Sequence, residues 1–259
     1  FRISPTGTFT LVAIFPAEVA PESTMVEGPD GNFYGTTEAG GAQDAGMIFR
    51  VTREGTITTL FEFGDRYGTN VGPYVMVKDQ DGTFYGTTAF GGDAGQGSVF
   101  QFNLEGAYTE IVAFDGTNAP QQGIHPFDGL TRGADGSLYG TTKFGGSAGE
   151  GTVFRVSTTG ALSTLVAFTG RGGTAVGSSP NGLVLGSNGE LYGTTETGGF
   201  ESNDVGTAFR VDPDGTFTTL VDFASLRGGG AGAAPLAALV LGSDGDFYGT
   251  TYYDGATDS

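Results

Sequence analysis

Asp135-Gly136-Ser137-Leu138-Tyr139-Gly140-Thr141-Thr142 opens the stretch that decides the fold, and Gly151-Thr152-Val153-Phe154-Arg155-Val156-Ser157 follows it across a glycine-rich loop. Both segments are rich in aromatic and β-branched residues. Each is bounded by turn signals, Asp135-Gly136 on one side and Thr159-Gly160 on the other. A short apolar stretch at 125–131 precedes them, and an alternating one at 161–168 follows. This is the pattern of four consecutive strands joined by tight turns. No window of helical length carries an apolar face at 3.6-residue spacing.

The unit recurs. Its pentapeptide stands at Phe33 to Thr37, Phe84 to Thr88, Leu138 to Thr142, Leu191 to Thr195 and Phe247 to Thr251, with tyrosines 51, 54, 53 and 56 residues apart. A period near 50 with four strands per copy predicts kelch-like blades. One antiparallel meander cannot cover both its faces, and five arranged radially can. The expected fold is therefore all-β: a five-bladed β-propeller with four antiparallel strands per blade, in one domain over 1–259.

The expected blades are 24–63, 73–114, 125–168, 180–223 and a fifth made of 236–259 with 1–15. The last is a closure: Phe1-Arg2-Ile3-Ser4 matches Phe154-Arg155-Val156-Ser157, so the N-terminal strands at 1–15 complete the C-terminal strands at 236–252. By comparison with the other repeats, about three residues are missing ahead of Phe1, and the N-terminus reads as processed.

Over half of the 49 glycines occupy fixed repeat positions, so glycine here is turn chemistry, not disorder. The net charge of −18 excludes nucleic acid as a partner, because such a surface repels phosphate backbones. It suits an exported or halotolerant protein, or one that collects cations. The absence of cysteine excludes disulfides and thiolate metal sites. No apolar run approaches the length of a membrane span, so no membrane insertion is expected.

In such a fold the one–two and three–four turns share one face, and here they are short and uniform. The other face holds the variable blade connections, where binding residues usually lie. The expected ligand contacts there are Arg66, Tyr67, Asn70, Asn118, Gln121, Gln122, His125, Ser178 and Ser179. His125 is the single histidine and alone makes no metal site. Repeated Tyr-Gly-Thr-Thr reads as packing: alternation puts Tyr34 and Gly35 on opposite sheet faces, with large residues of one blade facing glycine on the next. The turn acids Asp30, Asp81, Asp135 and Asp244, with Glu54, Glu105 and Asp214, gather on the uniform face. No cofactor is expected, and at most weak Ca2+ binding.

The unit at 135–168 resembles the GloVer-type tandem repeat of choice-of-anchor bacterial proteins, over essentially the whole chain. The fourth copy departs at Asn188, and the last has Tyr252-Tyr253-Asp254-Gly255 in place of Gly-Gly. The resemblance implies a bacterial extracellular or cell-surface protein, exported, often with a sorting tail, which is not present here. It carries no catalytic residues. The expected function is a non-catalytic binding or assembly module, lectin-like or in protein–protein contact, whose partner is a glycan or another surface protein. One alternative is a glycoside hydrolase with carboxylates in the channel, drawn from Glu18, Glu22, Asp65 and Asp115. Another is a structural subunit of a surface filament or envelope complex, touching neighbours through 231–240 and Tyr252-Tyr253.

Overall fold

The computed structural model describes residues 1–19, 21, 24–64, 76–116, 122–200, 205–226 and 232–253. The chain forms two compact units, residues 1–113 and 114–259. Among the described residues every regular element is a strand, apart from one 3-10 turn at Phe223–Leu226.

In the first unit one meander runs Val26–Glu27, Phe33–Thr37, Met47–Val51, Ile57–Glu62, and the next Val77–Lys78, Phe84–Thr88, Ser98–Phe102, Tyr108–Ala113. Arg2–Ile3 and Phe9–Thr10 form a separate two-stranded sheet. The core between the two meanders holds Tyr34, Ile48, Phe63, Phe84, Phe100 and Phe102. Phe61 stacks on Tyr108 with centroids 4.3 Å apart, and Tyr34 meets Phe84 at 4.8 Å. Such aromatic pairs hold sheet to sheet beyond simple area burial.

In the second unit Thr131–Arg132, Leu138–Thr142, Thr152–Val156 and Leu162–Ala167 make one meander. A five-stranded sheet follows, in which Ser178–Pro180 and Val184–Leu185 both pair with Leu191–Thr197, then Thr207–Val211 and Phe217–Asp222. Its core includes Tyr139, Val153, Phe168, Leu191, Phe209 and Val211. The chain continues as two small pairings, Ala233–Pro235 with Thr251–Tyr253 and Val240–Leu241 with Phe247–Tyr248. The segments expected of the fifth blade thus each carry short strand pairings of their own, 2–10 in the first unit and 233–253 in the second.

Three features differ from the sequence reading. The first strand of each full meander is only two residues long. A register shift recurs between strands three and four, at Ile48/Phe49, Glu110/Val112, Val153/Phe154 and Ala208/Phe209. A bulge at one fixed place re-aims the outer strand and adds twist.

The third difference concerns the pentapeptide glycine. It does not face a neighbouring blade: Gly140 lies opposite Phe154 of its own sheet, and a Cβ there would sit 2.5 Å from the ring. Glycine is required by the space the phenylalanine takes across the strand pair, an aromatic-over-glycine pairing. The turn glycines are needed for another reason. Gly136 has φ +80°, which a side chain rarely tolerates, and closes the turn between strands one and two.

Candidate ligand-contact face

The site is built by the connection that enters each blade. In the second unit Gly123–Ile124 pairs with Phe144–Gly145, and the amide of Lys143 donates to the carbonyl of His125 at 3.0 Å. Ser178–Pro180 and Ala233–Pro235 make the equivalent pairings with 195–197 and 251–253. Each entry thus lies along the residues that follow Thr-Thr, and the variable positions of both come together.

The residue before proline is left-handed at all three entries: His125 (φ 56°), Ser179 (φ 52°) and Ala234 (φ 51°). That conformation is uncommon for non-glycine residues and persists only where surroundings demand it. Here it aims the amide of Ser179 at the carbonyl of Glu150 (3.0 Å) and that of Ala234 at Val205 (2.9 Å), tying each entry to the preceding second–third loop. Ser178 Oγ donates to Glu150 Oε2. The two serines expected as ligand contacts are thus both bonded to Glu150 of the neighbouring loop.

His125 has a different environment. Its ring lies 6.1 Å from Phe127 and 6.1 Å, edge-on, from Phe144. Phe144 is 43% exposed, so an aromatic face looks out beside the imidazole. Lys143 Nζ sits 5.9 Å over the Phe127 ring and pairs with Glu196 Oε2 at 2.8 Å. Asp128 lies beside them. Burial pushes its carboxyl up to about 6, against the opposing pull of Lys143 and the Gly182 amide. The result is an aromatic edge flanked by one charge pair and a carboxyl that burial raises.

Of the remaining expected contacts, Gln122 is half-buried, and its Oε1 has no hydrogen-bond partner among the described residues. Arg66, Tyr67, Asn70, Asn118 and Gln121 lie outside the described residues, as do Glu22 and Asp65. Glu18 is exposed and Asp115 half-buried. Phe127, Asp128, Lys143, Phe144 and Glu196 were missed. Their signal was present: the two positions after Thr-Thr read Glu-Ala, Ala-Phe, Lys-Phe, Glu-Thr and Tyr-Tyr in an otherwise constant frame. Variation on a fixed scaffold marks a contact surface.

The uniform face is spoken for by internal bonds. Tyr34 Oη donates to Asp30 (2.8 Å) and Tyr139 to Asp135 (3.0 Å), and Tyr192 donates to Glu190 (2.9 Å) where the fourth copy has Asn188. Arg155 adds an ion pair to Asp135 at 2.7 Å. For Asp135, burial raises the pKa, but bonds from Ser137 and Tyr139 and the Arg155 charge outweigh it and hold the carboxyl below its usual range. Among the described residues no three His, Asp or Glu side chains gather as metal ligands.

The profile of the Gloeobacter/Verrucomicrobia repeat matches residues 1–176 and, overlapping, 73–259. The chain belongs to this repeat family. No curated protein matches it. Among solved structures it is similar to the extracellular domain of a protein provisionally assigned to a one-component system of B. thetaiotaomicron, at 12% identity and TM-score 0.61 over 93% of this chain and 27% of that one. It is also similar to a protein of unknown function from Dyadobacter fermentans, at 11% identity and TM-score 0.57 over 90% and 75%. A third is a protein provisionally classed as a gluconolactonase, at 14% identity and TM-score 0.54 over 89% and 71%. The GloVer repeat chain thus spans about a quarter of the first of these. At such identities the likeness shows fold alone, a propeller-like all-β arrangement. No helix among the described residues is long and apolar enough to cross a membrane, which leaves β-barrel spans aside.

Proposed function

We propose that this GloVer repeat chain is a non-catalytic, extracellular binding module of a bacterial surface, and that it takes a polyhydroxylated ligand of the glycan class on its variable face. The observation that supports this is the exposed Phe144 ring beside His125, with the Lys143–Glu196 pair beginning at the neighbouring residue of the strand. Sugar rings present an apolar CH face and a polar hydroxyl edge. An aromatic surface bordered by charged donors and acceptors matches both. Exposed Tyr252 and Tyr253 hold the same repeat positions as Lys143 and Phe144, so the feature is offered more than once. Repetition suits multivalent contact, in which weak single sites add through effective concentration.

The five repeats are read as five blades of one propeller domain over 1–259. A glycan-array screen of the intact chain, with and without calcium, tests the functional reading. Binding that Phe144→Ala weakens at least tenfold supports it, and binding to no glycan in either condition rejects it.

A second reading, a glycoside hydrolase, has one observation in its favour. Asp128, held protonated up to about pH 6 by burial, has the property a general acid needs. Hydrolysis of a glycan substrate that Asp128→Asn abolishes, with binding retained, would favour this reading over the first.

A further inference from the structure

The entries into the two full sheets of the second unit differ by one residue. One reads Pro126-Phe127-Asp128-Gly129-Leu130 and the next Pro180-Asn181-Gly182-Leu183. In the second of these the polar side chain is committed to the fold. Asn181 is buried, and its Nδ2 donates to Thr194 Oγ1 at 3.0 Å and to the Pro235 carbonyl at 2.7 Å. The first has an added phenylalanine and a carboxyl in the corresponding stretch. A carboxylate donates no such bonds. The repeat frame therefore accounts for neither Phe127 nor Asp128.

Those two residues sit where an ammonium group already lies. Lys143 Nζ is 5.9 Å over the Phe127 ring and 2.8 Å from Glu196 Oε2. An aromatic face with a carboxylate at its side is an arrangement that recognises an organic ammonium. Burial raises the Asp128 carboxyl although Lys143 pulls the other way, so this one cation does not fully compensate the negative charge there. Lys143 is itself replaceable: the same repeat position holds Glu38, Ala89, Glu196 and Tyr252 in the other copies. Its side chain is 36% exposed, and an ion pair this open to water holds weakly. The lysine can turn outward and leave the Phe127 face and Glu196 to another amine.

We propose that the glycan of the variable face is an amino sugar with its nitrogen unacetylated, whose ammonium takes the place of Lys143 on Phe127 and Glu196, beside Asp128. This inference rests on the glycan reading above and names the class. The exposed Phe144 ring beside His125 offers the sugar chain an apolar face. The net charge of −18 draws cationic chains and repels acidic ones, so a uronic-acid glycan received by Lys143 is the poorer match. Acetylation of the sugar nitrogen removes the charge that the ring and the carboxylate hold.

The test is titration calorimetry of the intact chain with glucosamine hexamer, N-acetylglucosamine hexamer and hexalysine, in mildly acidic buffer that keeps the amines protonated. The glucosamine hexamer is expected to bind at least tenfold more tightly than the other two. Glu196→Gln should lower its affinity at least tenfold and bring it level with the acetylated hexamer. Lys143→Ala removes the competing ammonium and should raise the affinity about threefold, whereas a lysine that merely props the site would lower it. Asp214→Asn, at a turn of the uniform face, should change nothing, and circular dichroism checks that each variant is folded. Equal losses in Glu196→Gln and Asp214→Asn would mean diffuse attraction to an acidic surface and overturn the proposal. So would weaker binding by Lys143→Ala, or hexalysine binding as tightly as the glucosamine hexamer. Preference for the acetylated hexamer overturns this inference and leaves the glycan reading standing, while binding to no glycan on the array removes both.

Discussion

Leu138–Thr142 and the segment 247–251 share Tyr-Gly-Thr-Thr and the same preceding Asp-Gly turn, yet the first is wholly buried and the second mostly exposed. The first is flanked by strands on both sides and has Phe154 over its glycine. In the second, pairings among the described residues are those of Phe247–Tyr248 and Thr251–Tyr253 with the strands before them. Identical residues are core in one copy and surface in another. The strand across the pair, more than the pentapeptide itself, decides whether this repeat is folded core.

That contrast can be broken most easily at the phenylalanines. Phe154→Ala removes a buried ring and is expected to cost about 3–5 kcal/mol in urea unfolding. Phe223→Ala, beside a cavity, should cost less than about 1 kcal/mol. Equal costs would mean that the last repeat is as tightly packed as the third. Next come the glycines: Gly140→Ala should cost about 1–3 kcal/mol by driving a methyl into the Phe154 ring. Gly249→Ala should cost under about 1 kcal/mol, because the flexible end of Leu239 can give way.

Smaller effects sharpen the polar half of the comparison. Thr142 and Thr152 share a buried hydroxyl pair at 2.8 Å, so Thr152→Val should cost about 1 kcal/mol. The Thr251 hydroxyl donates to the Tyr253 carbonyl at 3.2 Å in an exposed place, and Thr251→Val should be nearly silent.

The smallest effect is a pH dependence. Burial, then the bond to Asp135, pushes Tyr139 up to about 12. A raised folded-state pKa gives stability that is fully present below pH 10 and lost as pH climbs toward 12. Tyr139→Phe should remove that part of the alkaline unfolding limb. Tyr248 is raised first by its bond to Asp244 and second by desolvation, and its side chain is exposed, so Tyr248→Phe should change the limb less. Asp135 has the opposite sign: its contribution is present above its unfolded value near 3.8 and is lost as pH falls through its lower folded value.

The sheets were legible because their signals are local. Asp-Gly and Thr-Gly turns, alternation and the repeat period are all written within a few residues of one another, as at 135–168. The aromatic-over-glycine pairing was half legible. Gly140 and Phe154 could be named as packing residues, but which sheet supplies the ring depends on register, which adjacent turns do not fix. The bulge at Val153/Phe154 was hidden for the same reason.

The face around Phe144 was legible only in part. His125 was named from its place in a variable connection, whereas Lys143, Phe144 and Glu196 sit at the end of a constant strand and were absorbed into it. The left-handed backbone at Ser179 could not be foreseen, because serine before proline normally favours extended conformations. It arises from the loop that its amide must reach.

The most direct test is amide hydrogen exchange at the two copies of the pentapeptide. Amides of 138–142, paired on both sides, should be slow, and those of 247–251 fast. Equal protection at both segments would contradict the account.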